Sequence, residues 1–473
     1  MTTGMNLYDA DVWSLIIILA VLFISMMVAT VLRNTIAPLR RMMIPSAVLG
    51  GFILLAVNTF LDKCFDVSLY KIATLELLTY HGLGLGFAAM ALRSIDKKQD
   101  ARSKSGGFDS GITVVCTYLI QAICGIAISL ALYKLIGSFF ASGILLPMGY
   151  GQGPGQAFTW GHTYELEYGF TNGTSFGLTI AAMGFISASV GGVICLNVLR
   201  RRGVFSGQIG SNGDDSGLTI EHYTGKNEIP LTESLDKFTV QVSLVFIAYL
   251  MAYLFMKGVN TLVELGVFGG LSTTVQSMVW GFQFLFSTLF ALLLKAIMGA
   301  LRKKNIIKRD YMNNFMMNRI SGFMFDIMVI ASIAAIDLTA FTKMHFLLPL
   351  SLICVLGAVV TYFYLRFVCR RVFPMYEHEA FLSIYGMGTG TASTGAILLR
   401  EIDPGFVTQA AENIVYHQPW AILFGFPMFL MVGIAPQSLT KCVVVLGVCI
   451  VLFAAMNVLL LRKSIFKGKK TGK

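Results

Sequence analysis

Charge is scarce in this chain. Only 13% of its residues are Asp, Glu, Lys or Arg, about half the share of a soluble globular domain. An ordinary water-facing surface cannot be built from so few. Acidic residues are the scarcer kind, with 25 against 36 basic ones and a net charge of +11. The basic residues cluster at the ends of apolar runs, so they read as topology signals and exclude a nucleic-acid patch. None of the eight cysteines forms a Cys-x-x-Cys pair. Most lie inside apolar runs, as Cys116, Cys124 and Cys195 do. They read as packing residues, against a disulfide framework or a zinc site. No nucleophile–base or metal-ligand constellation stands out either, so the chain is not expected to be an enzyme or to hold a cofactor.

What is present is apolar: 56% hydrophobic residues and a mean hydropathy of +0.72. A helix crossing ~30 Å of hydrocarbon needs about twenty residues. The runs of that length are Trp13–Leu32, Ile44–Leu61, Ile72–Leu92, Ile112–Ile136 and Thr174–Leu199, then Phe238–Met256, Val275–Met298, Ile320–Phe341, Phe346–Val368 and Ala411–Val432, with Lys441–Leu461 last. The first follows Asp9 and Asp11 and is too long and wrongly charged for a cleaved signal peptide. Residues 200–237 are polar, contain Gly-Ser-Asn-Gly-Asp-Asp-Ser-Gly, and read as a linker between halves.

Two stretches break the apolar pattern. Met148–Gly155 reads Met-Gly-Tyr-Gly-Gln-Gly-Pro-Gly, and Tyr385–Gly395 reads Tyr-Gly-Met-Gly-Thr-Gly-Thr-Ala-Ser-Thr-Gly. Both carry Gly-x-Gly-x-Gly, which is poor helix material because each Gly costs about 1 kcal/mol against Ala. A dinucleotide loop needs Gly-x-Gly-x-x-Gly after a strand, and neither stretch has that spacing. A potassium filter needs four equivalent loops, and these two are unlike. Close helix packing explains small residues but not their alternation with Gln152, Thr389, Thr391, Ser393 and Thr394. Inside a bilayer, irregular backbone is tolerated where protein buries it or where it lines a cavity. Paired interruptions in two halves are the sequence pointer to a transporter's binding site.

Charge sets the orientation. Arg33, Arg40 and Arg41, the cluster Arg93–Lys104, Arg200–Arg202, Arg302–Arg309, Arg366–Arg371 and the tail from Arg462 to Lys473 all become cytoplasmic together on one condition. Each glycine stretch must then enter and leave on the same side, the first from outside and the second from inside. The expected fold is all-α and polytopic, with two inverted five-helix repeats. They span residues 13–199 and 238–432, with re-entrant hairpins near 143–165 and 378–400. Residues 200–237 form a cytoplasmic linker, and residues 441–473 add a helix and a basic tail. Ser211 is expected in the cytoplasm and Gly269 outside.

In such a fold, hairpin tips expose backbone N–H groups and helix N-termini to an anion and free carbonyls to a cation. The candidate substrate contacts are Gly151, Gln152, Gly153, Gly155, Gln156, Gly388, Thr389, Gly390, Thr391, Ser393 and Thr394. Asp326 lies within Ile320–Phe341, where a carboxylate costs at least ~2.5 kcal/mol. It reads equally as a sodium or proton site and as a structural residue, either paired with a nearby donor or placed closer to the interface. His81 precedes Gly82-Leu83-Gly84-Leu85-Gly86, a second flexible spot; a satisfied packing histidine outweighs a proton relay there. Arg400 could bind an anion bidentately, though an edge arginine more often anchors topology.

The chain resembles the bacterial sodium:glutamate symporter family. The likeness rests on Arg41-Met42-Met43-Ile44-Pro45 followed by Gly50-Gly51, and on Tyr168-Gly169-Phe170-Thr171-Asn172 followed by Gly184, Gly191 and Gly192. Gly386-x-Gly388-x-Gly390 with Thr394 completes it. It covers about Trp13 to Val432. It implies sodium-coupled symport of glutamate by a homodimer working as an elevator in the bacterial cytoplasmic membrane. Where the family commonly has His and Thr in the first hairpin, this chain has Gln152 and Pro154. Its second hairpin has Ala392-Ser393-Thr394 for Thr-Pro-Thr, and Asp326 has an uncharged counterpart. These departures widen the expected substrate to a related amino acid or small carboxylate. Proton coupling and an ion channel are the alternatives that the residues leave open.

Overall fold

A computed structural model describes residues 10–93, 101–204, 237–307, 309, 311–404 and 408–467. It is all-helical, with no strand among the described residues. The first half runs α1 (Ala10–Thr35), α2 (Ala37–Met42), α3 (Ser46–Phe65), α4 (Ile72–Leu92), α5 (Ala101–Ile136), α6 (Leu145–Tyr150), α7 (Pro154–Tyr168) and α8 (Gly173–Arg201). The second runs α9 (Lys237–Glu264), α10 (Ser272–Gly281), α11 (Gln283–Lys303), α12 (Asn314–Ala334), α13 (Met344–Val372), α14 (Glu377–Thr389), α15 (Ala392–Arg400), α16 (Gln409–Tyr416), α17 (Gln418–Ile434) and α18 (Leu439–Lys467). Among the described residues, eleven helices are long and apolar enough to cross a bilayer. The chain is an all-α polytopic membrane protein. Helices suit it because each satisfies its own backbone hydrogen bonds where no water can.

Several expected spans are cut differently. Val275–Met298 is broken between α10 and α11, where Gly281 ends one helix and Phe282 leaves helical geometry. Glycine is among the few residues at which helices kink sharply. Ala411–Val432 is divided at His417, just before Pro419, whose ring removes a helix donor. Helix α12 stops at Ala334 instead of running to Phe341. Beyond it, Asp337 accepts from the Thr339 amide at 2.8 Å and caps a short 3₁₀ turn, Leu338–Thr342. The glycine run beside His81 does not interrupt the helix: α4 passes through it unbroken. Its glycines make room for neighbours. A Cβ on Gly84 would lie 2.2 Å from Gln283 Oε1, and one on Gly86 would lie 2.5 Å from the Phe325 ring.

The contacts divide the chain into two units that do not follow the halves. One unit holds residues 77–98 and 214–329. Its core joins Leu85, Ala88 and Leu92 of α4 to Val245 and Ala248 of α9, Ala291 of α11 and Met317 of α12. The other holds residues 1–76, 99–213 and 330–473, and so contains both glycine stretches. There α1 packs on α3, and α5 packs on α13. Helix α18 belongs to this unit: Leu460 packs with Ile112, Cys116 and Val368, and Arg462 Nη2 meets the buried Asp109 carboxylate at 3.0 Å. All eight cysteines are free, and only Cys64 is exposed.

Candidate functional site

Each glycine stretch ends in a tight break between two helices, and the break is shorter than the motif. Gly149 lies within α6, and Gly386 and Gly388 lie within α14. In the first hairpin the amides of Gly151 and Gln152 both bond the Pro147 carbonyl, at 3.0 and 3.1 Å. Gly153 follows at φ +84°, ψ −177°, a conformation essentially reserved for glycine. Pro154 then opens α7, where its fixed φ suits the first turn and its missing N–H is no loss. In the second hairpin Thr391 is the N-cap of α15, and its Oγ1 accepts from the Thr394 amide at 3.4 Å.

The two tips meet. A Cβ built on Gly153 would lie 3.8 Å from the Thr391 methyl carbon, in ordinary contact. Helix α8 seats both: a Cβ on Gly184 would lie 2.5 Å from the Thr389 carbonyl oxygen and 3.1 Å from the Tyr150 ring. Further along α8, Gly191 and Gly192 make room for Tyr385 and Leu398 of the second hairpin. The N-termini of α7 and α15 are therefore neighbours. Their first N–H groups have no carbonyl of their own helix to bond, and their dipoles add positive potential where the tips meet.

The candidate contacts divide by what their side chains already do. Gln156, in the first turn of α7, is fully buried, and neither its Oε1 nor its Nε2 finds a hydrogen-bond partner among the described residues. Helical side chains lean back toward their helix N-terminus, which carries this amide toward the tip. Ser393 and Ala392 are exposed, and Gln152 and Thr391 are half-buried, so the second tip opens outward from the packing. The Thr389 hydroxyl is spent on the Tyr385 carbonyl at 2.7 Å, inside its own helix. Thr394 Oγ1 lies 3.3 Å from Thr391 Oγ1, which braces the cap. Gly155 and Gly390 supply backbone only.

Three candidates are not brought there. Arg400 ends α15, about 12 Å along the axis from the tip by helical rise. His81 Nδ1 lies 2.7 Å from the Tyr249 hydroxyl, which makes it a satisfied packing residue among α4 and α9. Asp326 is not buried against a donor: it lies on the exposed face of α12, with no hydrogen bond or ion pair among the described residues. Among the described residues, no group of three or more His, Cys, Asp or Glu could hold a metal ion.

Sequence reading missed the residues that hold the tips. Tyr118 and Gln121 lie one turn apart on α5. The Tyr118 hydroxyl donates to the Gly151 carbonyl at 3.0 Å. Gln121 Nε2 donates to the Gly388 carbonyl at 2.8 Å and to Thr361 Oγ1 of α13 at 3.0 Å. Thus one helix binds the middle glycine of both Gly-x-Gly-x-Gly motifs. A signal existed, since Gln121 is the lone amide side chain in Ile112–Ile136. Compared with family models, curated proteins and solved structures, the chain matches none of them.

Proposed function

We propose that the chain is a secondary active transporter. It carries glutamate, or a related amino acid or small carboxylate, by sodium-coupled symport with an elevator-type exchange of access. On this reading it works as a homodimer in the bacterial cytoplasmic membrane. The observation that carries the proposal is the meeting of two glycine-broken tips, Gly151–Gly153 and Gly390–Thr391, with two helix N-termini side by side. A carboxylate is favoured at such ends by N–H donors and by the helix dipoles. The unpartnered amide of Gln156 offers a donor and an acceptor beside them. Both hairpins lie in one contact unit, as a body that moves as a whole requires.

The substrate's anionic group would sit on the N–H groups of Gly155, Gln156, Ala392 and Ser393, with Gln152 and Ser393 closing the open side. Tyr118 and Gln121 keep both tips in register. The test is uptake into proteoliposomes against a panel of amino acids and carboxylates, with an imposed sodium or proton gradient. Unlabelled internal substrate should drive transient accumulation of label. Purely conductive flux without counterflow would overturn the transporter reading, and accumulation driven by protons in sodium-free buffer would overturn the coupling.

A further inference from the structure

Gln121 is fully buried where α5, α13 and the second hairpin cross. A primary amide has two donor hydrogens and an acceptor oxygen. Here both donors are used, on the Gly388 carbonyl and the Thr361 hydroxyl, while Oε1 finds no partner among the described residues. A half-satisfied buried amide is unfavourable. Rotation by 180° about the last side-chain bond would turn Oε1 toward two further oxygens. The Thr361 hydroxyl could then donate to Oε1, but the Gly388 carbonyl could not, and these two carbonyl oxygens repel unless a positive charge lies between them.

We propose that Gln121 Oε1, Thr361 Oγ1 and the Gly388 carbonyl form a binding site for a dehydrated monovalent cation, which enters as the Gln121 amide turns over. In the state described here, the amide hydrogens occupy the place of the ion's charge. The ligands are all neutral oxygens, which suits an alkali ion; zinc prefers Cys and His, and calcium and magnesium draw on carboxylates. The Gly388 carbonyl is among the last four of α14, which lack intrahelical donors and lie at the negative end of the dipole. The ion would tie both long helices to a backbone group two residues before the break at Gly390. It would thereby fix the N-terminus of α15 on which the anion rests. That last link depends on the transport reading; the cation site itself does not.

The test uses the purified full chain in nanodiscs, with no substrate. Its thermal unfolding midpoint is followed as sodium replaces choline at constant ionic strength. The midpoint should rise with sodium in the natural protein and stay flat in Gln121→Leu. Thr361→Val, which keeps the shape and loses one ligand, should raise the half-maximal sodium concentration by about tenfold or more. It also decides the matter if Gln121→Leu fails to fold. An unchanged sodium response in either variant, or none in the natural protein, would overturn the site. Intact sodium response with no uptake of any substrate would instead sink the transport reading and leave the site standing.

Discussion

Replacing Gly153 by alanine isolates the backbone of the first tip. At φ +84° and ψ −177° a residue with a Cβ is strained, by about 1–3 kcal/mol. Steric crowding adds little, because the new methyl meets nothing closer than the Thr391 methyl carbon at 3.8 Å. Alanine also restricts the unfolded chain, which offsets about 0.4–1 kcal/mol. A net of about 1–2 kcal/mol against the observed tip corresponds to a roughly 5–30-fold fall in the ratio of this tip to its alternatives. A ligand that needs this tip loses apparent affinity by up to the same factor. Gly153→Ala should therefore raise the KM for uptake by that amount while the protein still folds, with a modest fall in unfolding midpoint. Gly447→Ala is the control, since its Cβ would meet nothing within 4 Å. Wild-type KM and midpoint in Gly153→Ala would refute the claim that this conformation matters.

Gly184→Ala drives a methyl against the Thr389 carbonyl. It should cost about 1–3 kcal/mol of stability and abolish uptake, read by melting and transport together; wild-type values for both would count against a shared seat for the tips. Arg462→Ala breaks the Arg462–Asp109 ion pair and removes the cation from the Phe108 ring. A loss of about 1–3 kcal/mol is expected, with partial recovery in Arg462→Lys, and an unchanged midpoint would show that this ion pair does not hold α18 in place. Asp326→Asn removes a charge that costs at least ~2.5 kcal/mol at mid-span. Its unfolding midpoint in nanodiscs should equal or exceed the natural one, whereas a clear fall would reveal a favourable partner for the carboxylate.

Much of the helical layout was legible in the sequence, because a span must hide its own backbone bonds and needs about twenty apolar residues to do so. Glycine marked where the chain turns, at Gly151–Gly153 and at Gly390, since few other residues fit there. The same composition misled at Gly82–Gly86. A glycine run serves a break and a close helix contact equally well, and only the neighbours Gln283 and Phe325 decided for contact. Which way Asp326 faces could not be read from its position, because a helix face is buried or exposed only by what packs against it. The breaks at Phe282 and His417 fall inside runs whose average hydropathy hides them. Above all, the placing of Gly153 against Thr391, and of Gln121 between Thr361 and Gly388, joins residues more than two hundred apart in the chain. Local propensity carries no information at that distance; the packing of α5, α8 and α13 supplies it.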